Sequence, residues 1–98
     1  MAAPAVWVAK DDGTDIVRAG AIAAVGRDYN GNITVRLSGG EQAVVTLVDH
    51  TYDGTHTPED FHLQLLRVVA ELSDTAQPVI IRPVHDEQQG WRWITERL

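Results

Sequence analysis

The sequence predicts an α+β fold, with an antiparallel or small barrel-like sheet and one main helix. Three observations predict it. Turn signals recur at short intervals through the first half: Asp11-Asp12-Gly13-Thr14, Tyr29-Asn30-Gly31 and Ser38-Gly39-Gly40-Glu41. Asn-Gly and Gly-Gly supply the positive φ that tight hairpin turns need, so they join antiparallel neighbours. Between the turns, apolar and polar residues alternate with the two-residue period of strands. One later stretch, about 58–73, switches to helical spacing. The expected order is β-β-β-β-α-β-β within one domain, 1–98, with no βαβ alternation to suggest a parallel sheet.

Val6-Trp7-Val8 is a short first strand, with Trp7 as a core filler. Asp15 to Arg27 is a longer strand interrupted at Ala19-Gly20-Ala21, where glycine removes the side-chain packing that keeps a strand regular. Asn32 to Ser38 is the clearest, with Ile33, Val35 and Leu37 on one face. Gln42 to Val48 pairs with it. Ala43, Val45 and Leu47 share one face, and Val44, Thr46 and Val48 form a second face apolar enough to need a cover.

The helix has a start signal: Thr57 as N-cap, Pro58 at the first helical position, and Glu59 and Asp60 in the first turn. Phe61, Leu65, Val68, Val69 and Leu72 form its core stripe, and the helix stops near Ser73-Asp74, ahead of Pro78. Val79-Ile80-Ile81 then begins a strand, Asp86 to Gly90 turns, and Trp91 to Leu98 returns. Pro83 lacks an N–H for a ladder, so it implies an edge or a bulge.

Composition excludes several functions. The chain has 98 residues, 44% hydrophobic and 22% charged, which is globular rather than disordered. There are no cysteines, so thiol catalysis, disulfides and Cys-type zinc sites are absent. The formal charge is −6, with −2 on residues 1–49 and −4 on residues 50–98. Neither half offers the basic footprint that counterion release from a phosphate backbone requires, so no nucleic acid is expected as a partner. The densest basic group the strands could assemble is Arg82, Arg92 and Arg97, beside Trp91 and Trp93 on the final hairpin. No apolar run approaches the roughly 20 residues of a membrane span. Met1-Ala-Ala-Pro-Ala lacks the basic start and apolar stretch of a signal peptide, so the cytoplasm is the expected compartment.

The segment Asp49 to Asp60 gathers Asp49, His50, Asp53, His56, Glu59 and Asp60 without a lysine or arginine, and His62 follows. It resembles an EF-hand calcium loop over these twelve residues. Asp49 stands at position one, Asp53 at five, Gly54 at six and Asp60 at twelve. Thr51 at three is a weak ligand, Asp60 is shorter than the usual Glu, and a strand rather than a helix precedes the loop. His50, His56 and His62 with a carboxylate would instead suit Zn²⁺ or Ni²⁺, but spacings of six match no helical turn. The bland reading is a solvated connection ending in a helix cap, with His56 packing on Phe61. That reading is preferred, and loop 49–62 as a divalent-metal or small-ligand site is the alternative. No cofactor is expected.

No catalytic constellation is visible. No serine stands in a Gly-x-Ser-x-Gly context, and Ser38-Gly39-Gly40 opens no helix that could hold phosphate. His85 and Asp86 are strand neighbours that point to opposite faces. The helix carries more apolar surface than one sheet face can cover, so either the C-terminal hairpin or a second subunit is expected to cover the rest. Leu63, Leu66 and Ala70 widen the stripe to an arc of about 220°. Trp91 and Trp93 share one face of the last strand, as interaction platforms do. A small core gains from added burial. The expectation is therefore a non-catalytic interaction or regulatory module that forms a homodimer through Leu63, Leu66, Ala70, Trp91 and Trp93.

Overall fold

Period-two alternation builds seven strands and helical spacing builds one helix, giving an α+β fold in a computed structural model that describes residues 6–39, 43–49, 56–74 and 77–98. The strands are β1 (Val6–Ala9), β2 (Ile16–Arg18), β3 (Ile22–Arg27), β4 (Ile33–Leu37), β5 (Ala43–Val48), β6 (Val79–Asp86) and β7 (Gly90–Arg97), with helix α1 (Phe61–Glu71) between β5 and β6. They form two sheets, β2-β1-β6-β7 and β3-β4-β5, and not a closed barrel.

The segment expected as one interrupted strand is two strands in two sheets. At Ala19–Ala21 the chain makes a single 3-10 turn and crosses from the first sheet to the second. Five strands, not four, therefore precede the helix. The antiparallel expectation holds for every pairing but one: β1 runs parallel to β6, Val6 to Val8 against Val79 to Ile81. The crossover between them contains the whole second sheet and α1, which no short-range turn signal encodes.

One core joins both sheets and the helix. Val6, Val8, Val17, Val79 and Ile81 face it from the first sheet, Ile33, Val35, Leu47 and Val48 from the second, and Phe61 and Leu65 from α1. Val68, Val69 and Leu72 pack around its rim, as the helical stripe requires. Leu47 and Val48 are adjacent yet both buried. The β4–β5 register slips between Ile33 and Thr34, and a bulge lets consecutive residues point inward. The expected cover over the second face of β5 is absent at Val44, which is 60% exposed.

Trp7 is not a core filler. It pairs with Arg18 and Ile80 on the face of the first sheet opposite Val6 and Val8, and the Arg18 guanidinium lies 5.3 Å from its ring centre. Pro83 lies in an interior strand rather than on an edge, in unbroken register with β7. It is tolerated because the β1 ladder ends at Val8–Ile81, two residues earlier, so the proline nitrogen faces no partner there. Among the described residues no helix is long and apolar enough to cross a membrane.

Candidate interaction surface

A connected polar network lies where the β3–β4 turn meets the segment leading into α1. Asp28 organises the turn. Its Oδ1 accepts the Asn30 and Asn32 N–H groups at 2.9 and 3.0 Å, and its Oδ2 accepts the Asn32 side-chain amide at 3.0 Å. Desolvation alone would raise this carboxyl, but the hydrogen bonds from Asn32 and Asn30, with the Arg27 charge, outweigh it and hold the group below its ordinary value. The turn then grips residues 56 and 57. Thr57, 2% exposed, donates Oγ1–H to the Gly31 carbonyl at 2.7 Å and accepts from Arg27 Nε at 3.1 Å. Arg27 Nη2 donates to the Thr57 carbonyl at 2.6 Å. His56 Nδ1 lies 2.8 Å from the Asn30 carbonyl oxygen. Gly31 has φ 86°, and a Cβ there would stand 3.1 Å from the Thr57 nitrogen. Both its conformation and its packing demand glycine.

This clasp changes the expected helix start. Thr57 is not the N-cap, and residues 58–60 are not helical. The first helical residue is Phe61, Asp60 occupies the cap without a side-chain cap bond, and the helix ends at Glu71 rather than 73. The Asp60 carboxylate instead accepts from Gln64 Nε2 at 2.9 Å. His56 does not staple onto Phe61. The two tryptophans take that role: Trp93 stacks on Phe61 with centroids 4.6 Å apart and 14° between planes, and Trp91 meets it edge-on at 6.2 Å. Trp93 Nε1 donates to the Phe61 carbonyl at 2.9 Å, satisfying its own N–H.

Trp91 and Trp93 therefore pack on the start of α1 and on the core rim. Leu63, Leu66 and Ala70 lie elsewhere on the helix, about 140–200° round from Phe61 at 100° per residue. Leu63 is 47% exposed, Leu66 is 48% exposed, and Ala70 is exposed too. The final hairpin leaves this face open. It also separates the basic group expected beside the tryptophans. Arg82 and Arg92 register with Ile94 and Val84 on the outer face, whereas Arg97 registers with Val79. Arg82 pairs with Glu96, and Arg92 lies 3.5 Å from Asp86.

The metal candidates that are described form no cluster. His50 and Asp53 lie outside the described residues. Asp49 is exposed and pairs with Lys10 at 3.7 Å. His56 and Asp60 are engaged as described, and His62 is half-buried on α1 with Nδ1 enclosed and unpartnered among the described residues. No three His, Asp or Glu side chains among the described residues form a metal-binding group. A shallow groove of about 210 Å³ on the outer face of the second sheet is lined by Ala24, Gly26, Thr34, Arg36 and Val44, and no acid–base pair lines it.

The outer face of the first sheet escaped the sequence reading. Trp7 and Ile80 share one cross-strand row with Arg18 and Glu96. The signal was the run Val79-Ile80-Ile81, apolar on both faces of one strand. Comparison with protein-family models, with curated proteins and with solved structures gives no match.

Proposed function

We propose that this chain is a small, non-catalytic interaction module that self-associates through α1 and the β6–β7 hairpin. The observation that carries the reading is the open helix face. Leu63 and Leu66 stand about half exposed, side by side with Ala70, while the chain's own hairpin is engaged with Phe61 instead. Two leucines and an alanine on adjacent turns form the kind of stripe that packs on another helix. A second copy supplies the matching surface with two-fold symmetry.

Light scattering on the intact chain at micromolar concentration tests this. A dimer is expected, and Leu66→Glu is expected to convert it to monomer, because the variant buries an unpaired charge in an apolar contact. A monomeric wild type would refute the reading.

A further inference from the structure

The chain has two asparagines, Asn30 and Asn32, and glycine follows only the first. An asparagine carboxamide stands one ring closure from the next residue's backbone nitrogen. Attack of that nitrogen on Cγ forms a five-membered succinimide. A side chain on the following residue crowds the ring, and glycine has none. Asn32 is the contrast, because the β-branched Ile33 that follows it is buried at the start of β4.

In the folded chain the attack is blocked. Asn30 is exposed, but Gly31, which carries the nucleophile, is buried. The peptide unit joining them is held at both ends. Its N–H donates to the Asp28 carbonyl at 3.0 Å, and its carbonyl lies 2.8 Å from His56 Nδ1. A carbonyl only accepts, so that nitrogen carries the proton. On either side, the Asn30 N–H is bonded to Asp28 Oδ1 and the Gly31 carbonyl to Thr57 Oγ1. Residues 56 and 57 also press on Gly31. A Cβ there would stand 3.1 Å from the Thr57 nitrogen and 3.4 Å from His56 Nδ1. Ring closure needs the Gly31 nitrogen to give up its proton and swing onto Asn30 Cγ, so it cannot proceed while the clasp is shut. Local opening of the clasp lifts these restraints together.

We propose that Asn30-Gly31 is a self-modification site gated by the clasp: it converts to isoaspartate from the open state, and the product then keeps the clasp from closing. The Gly31 nitrogen bonds to Asn30 Cγ, the Cγ–Nδ2 bond breaks, and ammonia leaves with the Gly31 proton. Water, the only co-reactant, then opens the imide. Cleavage at the main-chain carbonyl carbon of residue 30 leaves that carbon as a carboxylate. The backbone now runs through Cβ and Cγ and is one atom longer. The turn has no slack for it, since Asp28 holds the Gly31 N–H with its carbonyl and donates its own N–H to the Asn32 carbonyl at 3.1 Å. The carbonyl that His56 bonded has left the chain path, and the Gly31 carbonyl no longer meets Thr57.

Peptide mapping over time tests this. The intact chain is held at neutral pH, and its tryptic peptide 28–36, which contains both asparagines, is sequenced by mass spectrometry for exchange of NH2 for OH. Wild type is expected to modify Asn30 at least about tenfold more slowly than the same chain unfolded in guanidinium chloride, since only the open fraction reacts. Thr57→Val removes the clasp hydroxyl and is expected to react at least about tenfold faster than wild type. Arg27→Met opens the clasp from its other side and is read in the same way should Thr57→Val not fold. Val8→Ala loosens the core at the first sheet and leaves the clasp intact, so it is expected to keep the wild-type rate. A folded rate equal to the unfolded one, or clasp variants no faster than wild type, would overturn the gating. Equal acceleration by Val8→Ala would assign the reaction to global unfolding and overturn it too. Asn32 reacting as fast as Asn30 would remove the role of Gly31. The purified isoaspartyl chain is expected to have a lower urea midpoint than Asn30→Asp, which carries the same charge on a backbone of ordinary length. Equal midpoints would refute the claim that the product keeps the clasp open.

Discussion

Removing one buried hydroxyl, by Thr57→Val, tests whether the clasp between the β3–β4 turn and α1 holds the fold. The substitution keeps shape and volume but deletes Oγ1. The Gly31 carbonyl loses its 2.7 Å donor, and Arg27 Nε loses its 3.1 Å acceptor. A neutral hydrogen bond contributes about 1 kcal/mol and one to a charged group about 1.5–3. Arg27 is half-buried, so the lower part of that range applies. The expected loss is about 2–3 kcal/mol. For a chain of this length the urea midpoint should fall by roughly 2 M, since m is about 1 kcal/mol/M for small domains. The melting midpoint should fall by about 10–20 °C. Urea titration followed by far-UV circular dichroism measures it. A double-mutant cycle with Arg27→Met should show coupling above about 1 kcal/mol, because both substitutions remove one shared bond. A loss under about 0.5 kcal/mol would refute the reasoning, since water would then replace the clasp at no cost.

Gly31→Ala should cost about 1–3 kcal/mol in the same urea assay, since the backbone needs φ 86° and the new methyl would press on Thr57. Trp93→Phe keeps a ring on Phe61 but deletes the bond to its carbonyl, so a loss of about 1 kcal/mol is expected, and an unchanged midpoint would show that bond to be idle. Asp28→Asn should flatten the acid limb of the stability profile. The folded Asp28 carboxyl lies below its ordinary value of 3.8, so its contribution is full above that value and is lost as pH falls through the lower, folded one. The gap between wild type and variant should therefore narrow below about pH 4, and a gap independent of pH would contradict the assignment.

Local pattern made β4, the final hairpin and the core stripe of α1 legible. Ile33, Val35 and Leu37 alternate, Gly90 with φ 72° closes the Asp86–Gly90 turn, and Phe61 and Leu65 recur at helical spacing. Each signal lies within a few residues. The β1–β6 pairing joins residues more than seventy apart, and nothing in Val6-Trp7-Val8 distinguishes a parallel from an antiparallel neighbour. Trp7 was misplaced for the same reason. Alternation puts it opposite Val6 and Val8, but which face meets the core depends on a second sheet the local pattern does not describe. The helix face was legible as surplus apolar area. That the tryptophans would pair with Phe61 and leave that surplus open was not, because it depends on where the hairpin docks.

Thr57 shows how tertiary contacts override a correct local signal. Thr-Pro-Glu-Asp is a sound helix start, and a threonine cap is worth about 1 kcal/mol. The fold offers the same hydroxyl a carbonyl to donate to and a guanidinium to accept from, and the guanidinium also reaches the Thr57 carbonyl. A charge-assisted bond is about twice as strong as a neutral one, so the competing set exceeds the cap. Thr57 turns into the clasp, and the chain cannot enter the helix there. The Phe61 N–H instead closes a turn onto the Pro58 carbonyl at 3.0 Å, and the first helical residue moves to Phe61. That delay sets the Phe61 ring against Trp93. It follows that strengthening the local cap should not restore the earlier start. Thr57→Asp, a cap residue at least as good as threonine, should therefore destabilise the chain in urea titration because its carboxylate cannot donate to Gly31, and a variant as stable as the wild type would refute the argument.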